Sequence, residues 1–274
     1  MASTRLLNVW WKTIFTTLQR ASFIGLLGCF TINSSMASSP DEHWKNADYI
    51  TYAFREIALH NEYDTTHTQQ PLRKWQGPIR YWIEHQVGQQ APHQQLVELH
   101  FQHLASLTGL SITTASSRKA ANFVIVFTQA SHFERAVRTT LGKAPIDDAI
   151  CQAALRIRSH RITFAGTVIP VDYAREKGKL LACIVEELTQ SLGLPNDSDK
   201  VFPSIFNDAS PNDLLSPLDV ILLKLLYHPA LKSSAPMSTN LTTIQRLAQQ
   251  FAKPSEVEKA EEQARFAPLA QLVN

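Results

Sequence analysis

The stretch C-I-V-E-E-L-T-Q-S-L-G-L-P-N-D, residues 183–197, decides how this chain is read. Advancing by about 100° per residue from Leu181, Ile184, Val185, Leu188 and Leu192 fall on one side of a helix. Glu186, Gln190 and Gly193 fall on the other, with Glu187 beside them. The period predicts a helix over Arg175 to Leu192, stopped by Gly193 and Pro195. Its apolar side must pack on something flat, such as a sheet, while its polar side presents Glu186 and Gln190 one turn apart. Helix geometry alone makes that polar side a solvated surface.

Working outward, the same rules place the neighbours. Ile50, Ala53, Phe54, Ile57 and Ala58 recur at helical spacing and predict a helix from Tyr49 to Glu62. Leu72 to His85 reads as a strand with a break at Gly77-Pro78. Pro92 opens a helix that runs to about Leu107 and stops at Gly109. Ser111 to Ala115 is a short β run, and Asn122 to Thr128, apolar throughout its middle, reads as a central strand buried on both faces. Arg156 to Val171, interrupted near Ser159-His160 and at Gly166, suits a hairpin or an edge strand. Ser216-Pro217-Leu218-Asp219 carries a capping box ahead of Leu218 to Tyr227, a helix apolar on nearly every side and therefore buried. Beyond Pro229 the composition turns polar, with helical patterns at Leu241 to Ala252 and Glu256 to Leu272 that read as an appendage or a partner-binding segment.

Composition sets the class. Of 274 residues, 44% are apolar and 18% charged, enough to bury a sizeable core. Basic residues number 26 and acidic residues 24, so no electrostatic surplus favours nucleic acid. Arg5, Lys12 and Arg20 precede the apolar run Ala21 to Ile32, and small residues follow, which is the order of an export signal. That run spans 12 residues, too few for the roughly 20 a membrane-crossing helix needs. Two processing routes compete: cleavage after Ala37, or lipidation at Cys29 in Leu26-Leu27-Gly28-Cys29, which resembles a lipobox. Either route leaves Cys151 and Cys183 as an even pair suited to one disulfide in an oxidising compartment. His93, His100 and His103 lie close together on one helix, and beside an apolar stripe they read as rim or core histidines rather than ligands. The chain contains no P-loop, no G-x-G-x-x-G, no G-x-S-x-G and no C-x-x-C.

The spacing of Glu186 to Asp197 resembles the extended zincin metalloprotease motif. Glu187 stands at the general base and Gly193 at the turn glycine, while Glu186, Gln190 and Asn196 occupy the three metal-ligand positions. More widely, R-K-W-Q-G-P-I-R (73–80), A-N-F-V-I-V-F-T (121–128), the paired cysteines, the 183–197 stretch and L-S-P-L-D-V-I-L-L-K-L-L-Y-H-P-A-L-K (215–232) resemble a bacterial family of secreted proteins of unknown function with a degenerate zincin-like domain. The resemblance implies an α/β (α+β) zincin-like fold: a small mixed sheet with packing helices, the motif helix beneath it, and a buried helix at 218–227. It also implies a division into a leader at 1–37, an N-terminal helical segment at 38–71, the zincin-like domain at 72–232 and a helical or flexible tail at 233–274.

With imidazoles missing from the ligand positions, zinc lacks the donors it prefers. The expectation is an exported or periplasmic protein without metal or cofactor. Its former cleft, lined by an edge strand near 161–171, would bind a peptide or a cell-envelope protein by strand addition. Glu186, Gln190, Asn196 and Asp197 are the candidate binding residues, with one of the carboxylates anchoring the loop that follows the helix. The alternative is a metal-dependent hydrolase with an oxygen-rich site, in which Glu187 is the general base.

Overall fold

The computed structural model describes residues 40–60 and 69–273. The expected leader, including Cys29, lies outside them. Five strands form one mixed sheet in the order β2-β1-β3-β5-β4, where β1 is Ile79–His85, β2 Ile112–Thr114, β3 Phe123–Thr128, β4 Gln152–Arg158 and β5 Arg161–Pro170. Four of them run parallel, and β4 alone is antiparallel to its neighbour β5. The α/β class read from the sequence is therefore the class observed.

The central position of β3 follows from its composition. Every residue from Phe123 to Thr128 is buried, as a strand covered on both faces requires. Phe123, Ile125 and Phe127 join the large core cluster on one face, and Val124 and Val126 join a smaller cluster with Ala136, Val137 and Leu141 on the other. The smaller cluster is covered by α3 (Phe133–Leu141). The larger one takes α1 (Ala47–Ala58), α2 (Gln90–Thr108) and the helices that follow the sheet. Pro92 falls inside the first turn of α2 rather than at its first position, where its missing N–H is still one of the groups with no helical partner.

Two expectations need correction. The strand at 161–171 is not an edge: β5 lies between β3 and β4, and residues 165–170 are all buried. The edge is β4, joined to β5 by a two-residue turn in which Ser159 (φ 49°) and His160 (φ 62°) are both left-handed, the hairpin geometry whose twist matches the strands. The single helix read over Arg175 to Leu192 is two, α4 (Val171–Glu176) and α5 (Leu180–Gln190). Gly178, at φ 68°, breaks the chain between them.

α6 (Pro217–Leu226) begins with the expected box: the Ser216 side chain accepts from the Asp219 N–H, and the Asp219 carboxylate accepts from the Ser216 N–H. Residues 233–274 were read as an appendage, and the packing corrects this. α7 (Met237–Phe251), α8 (Pro254–Arg265) and α9 (Pro268–Val273) bury Ile244, Leu247, Phe251, Val257 and Leu269 in the main core. The polar residues that suggested a tail form the solvent side of amphipathic helices. No helix among the described residues is long and apolar enough to cross a membrane.

Candidate functional site

α5 lies beneath the sheet with Ile184, Val185 and Leu188 fully buried, as its apolar stripe demands. It is fixed to α2, where His100 Nε2 sits 3.1 Å from the Val185 carbonyl and 2.9 Å from Thr189 Oγ1. Burial pushes His100 down to about 3, and His93 and His103 down to about 4. All three histidines are buried, and His100 holds two helices together.

Beyond Gln190 the chain turns at Gly193, whose φ is 115°. A Cβ there would overlap the carbonyl of Arg73, so the turn requires glycine for conformation and for space. Two buried carbonyls just past the motif helix find donors in the flanking motifs. The indole N–H of Trp75 donates to the Ser191 carbonyl at 2.9 Å, and the Tyr227 hydroxyl donates to the Leu192 carbonyl at 2.7 Å. Lys74 donates to the carbonyls of Leu226 and Leu231 at the end of α6, and burial lowers it to about 8. Three separate stretches of sequence thus close one knot under the sheet.

After the turn, the backbone N–H of Asn196 donates to the Ile57 carbonyl at 3.2 Å, and its side-chain amide donates to the Glu56 carbonyl at 2.9 Å. Asn196, a candidate binding residue, is therefore spent on anchoring the loop to α1. Asp197 returns toward the helix and accepts from Gln190 Nε2 at 2.6 Å. The Gln190 amide thus ties this loop to α5 through the Asp197 carboxylate. Asp208 joins from the loop ahead of α6, and oxygens of Glu186, Asp197 and Asp208 lie within 4.8 Å of one another. Sequence reading missed Asp208, since nothing in its local pattern points to the helix. It is placed by Asn207, which donates to the carbonyls of Asp199 and Val201, and by Asp219, which accepts from the Ile205 N–H at 3.0 Å.

Two cavities meet along α5. One, of about 370 Å³, is lined by Asp147, Asp148, Glu186, Glu187, Asp197 and Asp208, with Lys179 as its basic group. The other, of about 410 Å³, lies between β4 and the end of the helix and is lined by Ala153, Leu155 and Ile157 above and Glu187, Gln190 and Ser191 below. Glu187 and Gln190, both buried, form a wall common to the two. The disulfide from Cys151, immediately before β4, to Cys183 on α5 ties the roof of this cleft to its floor.

The donor set does not suit zinc. The three positions that resemble zinc-ligand positions in spacing hold one carboxylate and two amides, of which Gln190 is bonded to Asp197 and Asn196 faces α1. Zinc favours nitrogen and sulfur donors with at most some carboxylate.

Fold and site together define an α/β protein with a cleft between an antiparallel edge strand and a polar helix. The chain belongs to DUF2927, a family of proteins of unknown function, whose model matches residues 47–240. No curated protein matches it.

Proposed function

We propose that this protein is exported and that its domain is a zincin-like scaffold, emptied of its zinc ligands, which binds a peptide or a cell-envelope protein without cutting it. One observation carries the reading. β4 has a sheet neighbour on one side only, and it stands over Glu187, Gln190 and Ser191 across a cavity of about 410 Å³. An extended chain laid along β4 would gain main-chain hydrogen bonds from the open edge and side-chain pockets from the cavity. The antiparallel edge strand, the helix beneath it and the glycine turn that ends the helix support the zincin likeness. The basic, then apolar, then small-residue order of positions 5–38 supports export.

The test is direct. Ala153 lines the cavity, and Ala153→Trp would fill the space beneath the strand. Envelope proteins or peptides captured by the wild type are expected to be lost by this variant, with unfolding unchanged; undiminished capture would refute the site. Intact mass of the protein recovered from its host reads the leader, with a start after Ala37 or a lipidated Cys29 as the two exported outcomes.

A second reading rests on the three carboxylates, Glu186, Asp197 and Asp208, within 4.8 Å. They would hold a hard cation through oxygen, as Ca²⁺ and Mg²⁺ prefer, with Glu187 as the general base of a hydrolase. Elemental analysis of protein purified without chelator separates the two. Stoichiometric metal, lost in Glu186→Ala together with a hydrolytic activity that Glu187→Gln abolishes, would favour the enzyme.

A further inference from the structure

We infer that the cavity beneath β4 is a carboxylate-binding subsite anchored by Arg73, so that a peptide held in the cleft enters it with a terminal or side-chain carboxylate. The inference rests on the cleft reading above and specifies its ligand.

Arg73 and Lys74 are adjacent, and both are pressed into the protein, but only one is satisfied. The Lys74 ammonium donates to two carbonyls and lies over the Tyr227 ring. Arg73 is only 9% exposed. Among the described residues its guanidinium makes one hydrogen bond, from Nη2 to the His60 carbonyl at 3.0 Å, its Nε–H has no acceptor, and no ion pair includes it. A buried charge held so loosely is unfavourable unless something else completes it. If position 73 served packing alone, an apolar side chain would fill it at lower cost. A second unanswered polar group lines the same cavity: the hydroxyl of Ser191, 1% exposed, also lacks a partner among the described residues.

The chemistry of these groups selects the ligand. A planar guanidinium fork matches a carboxylate in shape and charge, and a serine hydroxyl can donate to its other oxygen. Lys143 adds positive charge to this cavity, against the one carboxylate of Glu187. Among the described residues, the neighbouring cavity is lined by six carboxylates and Lys179, whereas the cavity of Arg73 is lined by two basic groups and one carboxylate. Leu155, Ile157, Pro145 and Pro195 supply apolar surface for the residue that carries the charge.

The experiment offers ¹⁵N-labelled protein three pools of mixed hexapeptides: free acids without Asp or Glu, the same sequences as C-terminal amides, and amides that each contain one Glu. Retained peptides are read by mass, and the Arg73 Nε–H signal, assigned by its loss in Arg73→Lys, is followed by NMR. Retention of the free acids over the amides, with movement of that signal, identifies a chain terminus as the source of the carboxylate. Retention of the Glu-containing amides identifies a side chain. Arg73→Lys, which keeps the charge but not the fork, is expected to weaken the retained pool at least tenfold. Equal retention of acid and plain amide pools, still abolished by Ala153→Trp, would overturn the carboxylate subsite and leave the cleft standing. Retention of none of the pools would count against both.

Discussion

The carbonyl of Arg73 occupies the space that a side chain on Gly193 would need. This contact joins the stretch at 73–80 to the stretch at 183–197, and it sets the angle at which the chain leaves the motif helix. Gly193→Ala must therefore strain a left-handed backbone and displace the neighbouring backbone at Arg73 at once. We expect a loss of about 3 kcal/mol, toward the upper part of the range for single substitutions. Urea unfolding followed by tryptophan fluorescence measures it, because Trp75 is bonded to the same turn; a loss below about 1 kcal/mol would contradict the packing.

Removing the covalent tie across the cleft has a separate effect. Cys151 and Cys183 are 32 residues apart, and on the chain-entropy model a loop of that size is worth about 3 kcal/mol. The double variant Cys151→Ser/Cys183→Ser should unfold at correspondingly lower urea, and the wild type should match it only with reductant. Alkylation of the native protein without reductant should label neither cysteine.

Acid should destabilise the fold in a defined window. His93, His100 and His103 are held at about 4, 3 and 4, whereas an unfolded histidine titrates near about 6.5. Between those values the unfolded chain binds more protons, so stability is full above about pH 6.5 and falls as pH drops toward the folded values. Asp219 acts in the opposite sense. Burial raises it to about 6, so its contribution is present at low pH and is lost as pH rises through about 6. Three groups outweigh one, and the net expectation is falling stability on acidification. His100→Phe should reduce the slope between pH 6.5 and 4, at a cost of about 1 kcal/mol at pH 7 for the lost hydrogen bonds. An unchanged slope would mean that His100 is not the buried neutral group described.

Asp219 also tests the loop that brings in Asp208. Its carboxylate accepts from the Ser204 hydroxyl and from the N–H groups of Ile205 and Ser216. Asp219→Asn turns one acceptor oxygen into a donor that faces these donors. About 2 kcal/mol should be lost at pH 7, with exchange of the Ile205 and Ser216 amides accelerated well beyond that of the sheet.

The parts of this fold that were legible in the sequence are those whose cause is local. Helix α1, the buried strand Phe123–Thr128 and the Ser216/Asp219 box each follow from a period or a cap a few residues long. The hairpin interrupted at Ser159-His160 was legible, but the first part of the edge strand was hidden because Gln152-Ala153-Ala154-Leu155 has weak β character. It is a strand because β5 and the disulfide hold it there. The interior place of β5 did have a signal, the unbroken run A-G-T-V-I-P-V at 165–171, which suits a strand covered on both faces better than an edge. Of the site, Glu186, Glu187, Gln190 and Asp197 come together as their spacing suggested. Asn196 goes elsewhere because its amide bonds to a carbonyl of α1, 140 residues away, and Asp208 arrives from a loop held by Asn207 and Asp219, bonds that no helical or strand period encodes.

The span shared with the family closes at residue 240, yet after that point α7 and α8 continue to deposit apolar side chains against α1 and α6, and α9 against α2. Similarity and packing therefore draw different borders. A recombinant fragment trimmed to the shared span would uncover greasy faces on three of its helices, and its behaviour in solution, sticky or insoluble, would speak for the missing lid of helices and not for the cleft.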